Sequence, residues 1–418
     1  MSEWSEKKLG DIAETTSGGT PDRKNQAFFG GSIPWVKSGE LEDTSINDTE
    51  EKITPEGLKH SAAKLFPSGT LLMAMYGATV GKTALLKIEA ATNQAVCAIF
   101  PRAGEAGTDF LRYALVYQRP EILKLRYGGA QPNISQQVVR NLVVPLPPLP
   151  EQRKIAAVLG LVQRAIEEQE RLITLTTELK KALLHKLFTE GLRGEPQKQT
   201  EIGPVPESWD LKPLGDYLTE AQYGISVKGG ETGRYAVLRM TNQREGRISS
   251  DNLQYVELMA DQFQRFRVER RDILFNRTNS LDLVGRTAIF DIEGNFVFAS
   301  YLIRLRPDAK RLRPFFLNHY FNWGETQVRL KSIATRAVSQ SNISATRLRG
   351  FSVPVPKPDE QDEIVGQIDC LDQKLSVHAR RHAAHAALFR TVLHQLMTAQ
   401  IRVNDIDLSE LECELGKG

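Results

Sequence analysis

Residues 74–84 read AMYGATVGKTA and end in Gly81-Lys82-Thr83, the tail of a phosphate-cradling loop. Such a loop needs Gly-x-x-x-x-Gly-Lys-[Ser/Thr] between a buried strand and a helix, so that backbone amides and the lysine reach the phosphates. Counting back from Gly81 puts Tyr76 where the first glycine belongs, and Gly77 is one residue too near. The stretch therefore reads as a glycine-supported turn between two strands, with Lys82 solvated at its tip. A nucleotide hydrolase stays open as the alternative. Other reactive constellations are thin. There is no Gly-x-Ser-x-Gly elbow, no His-Glu-x-x-His helix and no Gly-x-Gly-x-x-Gly turn. Asp22, Glu50 and Lys52 can be assembled into a nuclease-like set only by choosing among 51 acidic residues. His378, His382 and His385 share one helix face. With no cysteine or carboxylate ligand obvious beside them, they read as a polar layer near Gln169 rather than a zinc site. No cofactor and no metal is expected, and the chain reads as a binder, not an enzyme.

The elements that would carry these residues come from a chain of 418 residues, long enough for two or three domains. No run of 18 apolar residues is present, so no membrane span is expected, and MSEWSEKKLG has no signal-peptide core. Cys97, Cys370 and Cys413 are isolated, which fits a reducing, cytoplasmic setting. The net charge is +3 but unevenly spread. Residues 201–358 carry 23 Lys+Arg, 18 of them Arg, against 17 Asp+Glu, whereas residues 359–418 carry 6 against 11. An arginine-rich segment suits contacts to phosphate and guanine.

The chain repeats itself, and the repeat sets the architecture. WSEKKLGD (4–11) returns as WDLKPLGD (209–216), displaced by 205. VGKTAL (80–85) returns as VGRTAI (284–289), displaced by 204. NISQQVVRNLVVPLPPLPEQRKI (133–155) returns as NISATRLRGFSVPVPKPDEQDEI (342–364), and LHKLFTEGLR (184–193) as LHQLMTAQIR (393–402), both displaced by 209. One ancestral unit is used twice, with variable insides and a rigid frame. Each copy begins with short β-like runs such as TLLMAMY, QAVCAIF, YAVLRM, DILFNR and NFVFASYLIRLRP, with a helical TDFLRYALVYQRPEILKLR in the first copy. A Pro-x-Pro segment ends the domain, and a long helix follows.

The two helices carry matching stripes. The second has Ile364, Ile368, Leu371, Leu375, then the three histidines, then Phe389, Val392 and Leu396. The first has Ile155, Leu159, Val162, Ile166 and, beyond Gln169, Ile173, Leu183 and Leu187. Uninterrupted helices of this length span roughly 60 Å. Each stripe needs a partner, and the other helix of the same chain is available. Connectivity favours an antiparallel pair, because the second domain must leave the end of one helix and return to the start of the other. The fold class is thus α+β: two α/β domains with short strands, separated by two long antiparallel helices forming an intramolecular coiled coil, with a pseudo-twofold internal repeat. The expected domains are 1–150, a central helix and linker 151–200, 201–358, and a distal helix with tail 359–418.

These motifs together resemble the specificity subunits of type I restriction–modification enzymes. The resemblance rests on the Trp-x4-Leu-Gly-Asp openings at Trp4 and Trp209, the Asn-Ile-Ser segments, the lead-ins PLPPLPEQRKI and PVPKPDEQDEI, and TEIGPVPESW (200–209) between the copies. It covers essentially the whole length. It implies two target-recognition domains that each read half of a split, asymmetric site on double-stranded DNA, with the helices as spacer. It also implies two modification (methyltransferase) subunits and restriction (translocase and endonuclease) subunits as partners, and no catalysis by the chain itself. A duplicated adaptor that binds only protein is a further alternative.

Phosphate contacts position a protein and base contacts specify. The candidate DNA-binding residues in the second copy are Asn276, Arg277, Thr278, Asn279 and Ser280 between two β-like runs, then Arg286 on the echoed glycine turn. Lys82 and Thr83 hold the latter place in the first copy. Tyr127 and Gln131 precede the first Asn-Ile-Ser in a Gly-rich segment, with Arg336 and Gln340 as loose counterparts. Replacement of Lys82 by Arg286 suits a positive side chain on a tight turn better than a nucleotide loop.

Overall fold

The structure of the chain, a computed structural model, describes residues 4–126, 132–336 and 340–403, with Arg336 described by its backbone alone. The chain divides into two compact units, residues 1–170 with 380–418 and residues 171–379. Each unit holds a sheet-rich body, the start of one long helix and the end of the other. No helix among the described residues is long and apolar enough to cross a membrane.

In the first unit a five-stranded sheet runs in the order Ala13–Ser17, Val96–Pro101, Leu71–Ala74, Thr83–Leu86, Ser45–Ile46. Its central strands are buried and, Thr83 apart, apolar over Leu71–Ala74 and Thr83–Leu86 because both faces are covered. Leu71 and Met73 point into one core cluster, and Leu72 and Ala74 into another, as the two-residue period of a strand requires. The second unit repeats the order with Leu218–Tyr223, Leu302–Pro307, Ile273–Asn276, Thr287–Ile289 and Arg247–Ile248, and adds Gln243–Arg244 at the edge. The run NFVFASYLIRLRP, continuous in sequence, is two strands in two sheets: Phe296–Phe298 and Leu302–Pro307. The helices Pro314–Asn322 and Gly324–Ser332 of the second unit had no clear periodic signal in the sequence.

The Gly-Lys-Thr stretch joins two antiparallel neighbours, with Leu72 opposite Ala84 and Met73 opposite Thr83. A strand, not a helix, follows the glycine, so no helix N-terminus is available to cradle phosphates. The nucleotide-hydrolase alternative is removed on that ground.

The repeated motifs are the joints of this frame. Leu9 donates its amide to the Leu142 carbonyl at 2.8 Å, and Leu214 does the same to Phe351 at 2.9 Å. A Cβ on the glycine that follows would meet Arg140 at 3.3 Å in one copy and Arg349 at 3.2 Å in the other, which explains Leu-Gly-Asp. Ser135 and Ser344 of the Asn-Ile-Ser segments each cap a short helix, accepting from the Val138 and Arg347 amides at 3.2 Å.

The Glu-Gln pair at the start of each long helix, Leu149–Thr189 and Pro358–Met397, does most of the joining. Buried Gln152 accepts from the Gly107 amide at 2.9 Å and donates to the carbonyls of Pro147 at 2.8 Å and Glu105 at 3.2 Å. Gln361 accepts from the Arg313 amide at 2.6 Å and donates to Arg311 and Pro356, both at 2.8 Å. Glu151 accepts from the Trp4 indole at 3.3 Å and pairs with Arg402, just past the second helix, at 3.1 Å. Glu360 accepts from the Leu192 amide at 3.2 Å and faces Arg193, just past the first helix, at 3.9 Å. Within each unit the two helices therefore run in opposite directions.

The apolar stripe shares the cores of the bodies. Ile155, Leu159 and Leu396 are buried in the cluster of the first unit, with Phe389 packed against it and its ring 5.9 Å from that of Tyr113. Ile364 and Ile368 are buried in the second, beside Leu187 and Phe188. Each such side chain contributes about 1.5–3 kcal/mol. Ile166 and Leu371 are also buried, whereas Val162 and Leu375 are half-buried. In the polar middle, His382 lies 3.0 Å from Glu170, next to buried Gln169.

Gln361→Leu would keep the volume of the side chain and orphan the Arg313 amide and two carbonyls. A loss of about 1–3 kcal/mol per buried orphan group is expected, read as a lower urea midpoint.

Candidate nucleic-acid interface

Two glycine turns built to one plan stand where the sequence placed its candidate residues. In the first unit Gly81 donates to the Ala74 carbonyl at 2.9 Å, and Ala74 to the Lys82 carbonyl at 2.9 Å. In the second, Gly285 donates to Asn276 at 2.9 Å, and Asn276 to Arg286 at 2.8 Å. Both glycines have positive φ, +78° and +90°, which L side chains disfavour. A helix side chain bonds each glycine carbonyl: Arg119 Nε at 3.1 Å and Gln327 Nε2 at 2.9 Å.

The same turns are tied to the Asn-Ile-Ser segments. Ile134 donates to the Met75 carbonyl and Ile343 to the Arg277 carbonyl, each at 2.9 Å. Segments read separately in the sequence thus meet in space. Beyond this clamp the tips differ. Six residues, 75–80, separate Ala74 from Gly81, and eight, 277–284, separate Asn276 from Gly285. In the first unit Tyr76 bridges to Asn133 and is 44% exposed. In the second, Thr278–Asn279 pairs with Ser341–Asn342, which pairs in turn with Thr335–Arg336. The Asn342 amide donates to the Thr278 hydroxyl at 2.7 Å.

The individual residues fare unequally. Ser280, Arg286 and Gln340 are exposed, and Thr278 and Asn279 are half-buried. The Arg277 guanidinium lies 4.5 Å over the Tyr223 ring and donates to the Ser300 carbonyl at 3.4 Å. Three expectations are corrected. Thr83 is a buried strand residue whose amide and hydroxyl donate to Asp43 at 2.9 Å and 3.2 Å. Asn276, the last residue of its strand, is buried as well, and it holds the turn through its backbone amide and carbonyl. Lys82 is not a free solvated cation, because its ammonium is paired with Glu42. Tyr127 and Gln131 lie outside the described residues. Sequence reasoning missed Tyr223 and the pairing role of Asn342. Tyr223 is more than 50 residues from Arg277 in the chain and carries no local signal.

The nuclease-like set is not assembled. Glu50 pairs with Lys37 at 2.7 Å, Lys52 with Asp48 at 3.2 Å, and Asp22 accepts from the Lys24 amide at 3.0 Å. Among the described residues, His319, Asp369 and Asp372 bring possible metal-ligand atoms within 4.8 Å of one another. Cations already meet these carboxylates: Arg247 lies 3.6 Å from Asp369, and Lys180 pairs with Asp372. The His319 ring, 3.3 Å from Asp369, holds that carboxyl below the ordinary aspartate range. The arrangement is a charge network joining the body of the second unit to its helices.

The family model described as the type I restriction modification DNA specificity domain matches residues 1–177 and 206–384. The chain belongs to this family. The two matched regions coincide with the sequence repeat, and each specificity domain holds one clamped glycine turn. The MjaIX specificity subunit of Methanocaldococcus jannaschii is 30% identical over 228 residues, 52% of either chain. The EcoKI specificity subunit of Escherichia coli is 22% identical over 391 residues, covering 91% of this chain and 81% of that one. With the Methanocaldococcus relatives of highest identity, the match spans about half of that protein's length or less. Among solved structures, the S subunit of a type I restriction–modification system from M. genitalium superposes with a TM-score of 0.63 at 17% identity, over 94% of this chain and 96% of that one. At that identity the likeness is one of fold.

Gly285→Ala would force a Cβ into the left-handed region. A destabilisation of about 1–2 kcal/mol is expected, measured by thermal melting, whereas Gly324→Ala, where a Cβ meets open space, should cost less.

Proposed function

We propose that the chain is the specificity subunit of a type I restriction–modification complex, with each unit reading one half of a bipartite, asymmetric site on double-stranded DNA. The observation that carries this reading is the duplicated turn: one hydrogen-bonded frame used twice, with tips of different length and composition. A fixed frame positions a reading edge, and unlike tips select unlike bases, so a single chain recognises a non-palindromic site. In this reading Ser280, Arg286 and Gln340 are the accessible contacts of the second half-site, supported by Thr278, Asn279 and Arg277. Arg336 belongs to the same small sheet. In the first, Tyr76 and the backbone of the Lys82 turn take that part, with Tyr127 and Gln131 as proposed neighbours.

The residues divide into recognition domains at 1–150 and 201–358 and spacer segments at 151–200 and 359–418. The helix pair is a coiled-coil ruler that holds the half-sites about one DNA turn apart, roughly 34 Å. Two modification subunits, which carry the methyltransferase chemistry, and the restriction subunits dock on this frame. The specificity subunit performs no catalysis of its own and works in the cytoplasm.

Exchange of residues 1–150 for those of a relative, followed by sequencing of methylated adenines, is expected to change one half-site and leave the other intact. A change in both halves, or methylation by the purified chain without partners, would refute the reading. Arg286→Ala should lower affinity for all duplexes and reduce the salt slope by about one unit. Lys82→Ala should do less, since Glu42 already neutralises that ammonium. Equal effects of the two substitutions in filter binding would contradict this difference.

A further inference from the structure

The glycine turns of the two units share a frame, and one position on it carries opposite side chains. Met75 donates its amide to the Ala95 carbonyl at 2.7 Å, and Arg277 donates its own to Tyr301 at 3.1 Å. Each then accepts from the isoleucine of Asn-Ile-Ser, so Met75 and Arg277 are equivalent. The edge strands agree. Ser17 lies opposite Cys97 and Tyr223 opposite Ile303, the second residues of equivalent strands, so Ser17 is the counterpart of Tyr223. In the first unit Met75 is buried in the core cluster. In the second, the half-buried Arg277 lies over the exposed Tyr223 ring, at the sheet edge from which the 277–284 tip projects.

The Arg277 guanidinium is held in place but not used up. Its carbon lies 4.5 Å from the centre of the Tyr223 ring, a cation–π contact. The Tyr223 hydroxyl accepts from the Ala345 amide at 2.8 Å, which fixes the ring. Nε is sealed from solvent, and Nη1 reaches the Ser300 carbonyl at 3.4 Å, a long bond. Nη2 has no hydrogen-bond partner among the described residues and is not sealed, so it reaches solvent. The arginines of the neighbouring strand are committed: Arg304 and Arg306 pair with Glu220 at 2.7 Å and 3.0 Å. Arg277 has no carboxylate partner among the described residues. A stacked guanidinium keeps its plane, and its paired terminal donors match the N7 and O6 acceptors of guanine in the major groove. A phosphate contact needs charge alone, which the exposed Arg286 on the same turn supplies.

We propose that Arg277 is a base-reading residue of the second unit, that it recognises guanine in the second half-site, and that Tyr223 is its positioning residue. The inference rests on the specificity-subunit reading and moves Arg277 from supporting the tip to contacting a base. The first unit has Met75 and Ser17 at these places and makes no such contact, so the guanine read this way belongs to one half-site only.

The test uses the full chain assembled with the host's modification subunit. The sites it methylates are sequenced, and the exchange of residues 1–150 tells which half-site belongs to the second unit. That half-site should hold at least one G·C pair. Duplexes with each pair replaced in turn then report the preference at every position. Arg277→Ala should cut the preference for one G·C pair of that half-site about tenfold or more. The other positions of both half-sites should keep theirs, which shows that both units remain folded. Tyr223→Leu should weaken the preference at the same pair, and Tyr223→Phe, which keeps the ring, should spare it. A second half-site without a G·C pair would overturn the proposal with no variant needed. So would Arg277→Ala with every preference unchanged. Affinity lost for all duplexes alike, with a shallower salt dependence, would also overturn it, as the mark of a phosphate contact. Each of these outcomes leaves the specificity-subunit reading standing. No methylation of any specific site by the assembled wild-type complex would overturn both.

Discussion

The Glu-Gln pair at the first turn of each long helix is the constraint on which the rest depends. A helix start leaves amides unpaired, and a domain boundary leaves carbonyls unpaired. One buried glutamine answers both needs in each unit, because its amide group donates twice and accepts once. The neighbouring glutamate binds the residue just past the end of the other helix. Each body is thereby fastened to the start of one helix and the end of the other. The bodies can diverge in sequence as long as this joint is kept. Of the lead-in residues that match at the 209 offset, Glu and Gln are the pair that makes these bonds.

The glycine turns obey the same division between frame and tip. Backbone hydrogen bonds and a positive φ define the frame, so its sequence needs are few: a glycine, a cation after it, and the Asn-Ile-Ser segment that clamps it. The tip is free of those bonds and differs by two residues between the units. A surface built this way can change its chemistry without disturbing its support. Met75 and Arg277, bound alike through their backbones, show the same freedom within the frame: one side chain is buried and apolar, the other charged and half-buried.

Much of this was legible in the sequence because the chain compares itself with itself. Trp4 with Trp209, the Leu-Gly-Asp glycines, Pro-x-Pro and Glu-Gln are separated by nearly constant offsets; all but Trp209, which is buried in the core of the second unit with no partner among the described residues for its indole N–H, are joints of the frame. The central strands were legible as apolar runs, since a strand covered on both faces loses its polar alternation. Less legible was NFVFASYLIRLRP, where a continuous apolar run passes between two sheets. Helix Pro314–Asn322 was also hidden, because PFFLNHYFN is buried on most sides and shows no clean apolar stripe. Thr83 and Asn276 read as surface polar residues by type, whereas their strand positions turn them inward.

The sequence by itself determined the duplication, the two long helices, the strand–turn–strand character of Gly81-Lys82-Thr83 and the family to which the chain belongs. These rest on local patterns and on periods, which need no knowledge of distant neighbours. Only the tertiary structure decided that Lys82 is neutralised by Glu42, 40 residues away, that Thr278 pairs with Asn342, 64 residues away, and that Arg277 lies over the ring of Tyr223. Such pairings depend on which segments the sheets bring together. The accessibility and charge of a side chain are set by those neighbours, and local spacing carries no record of them.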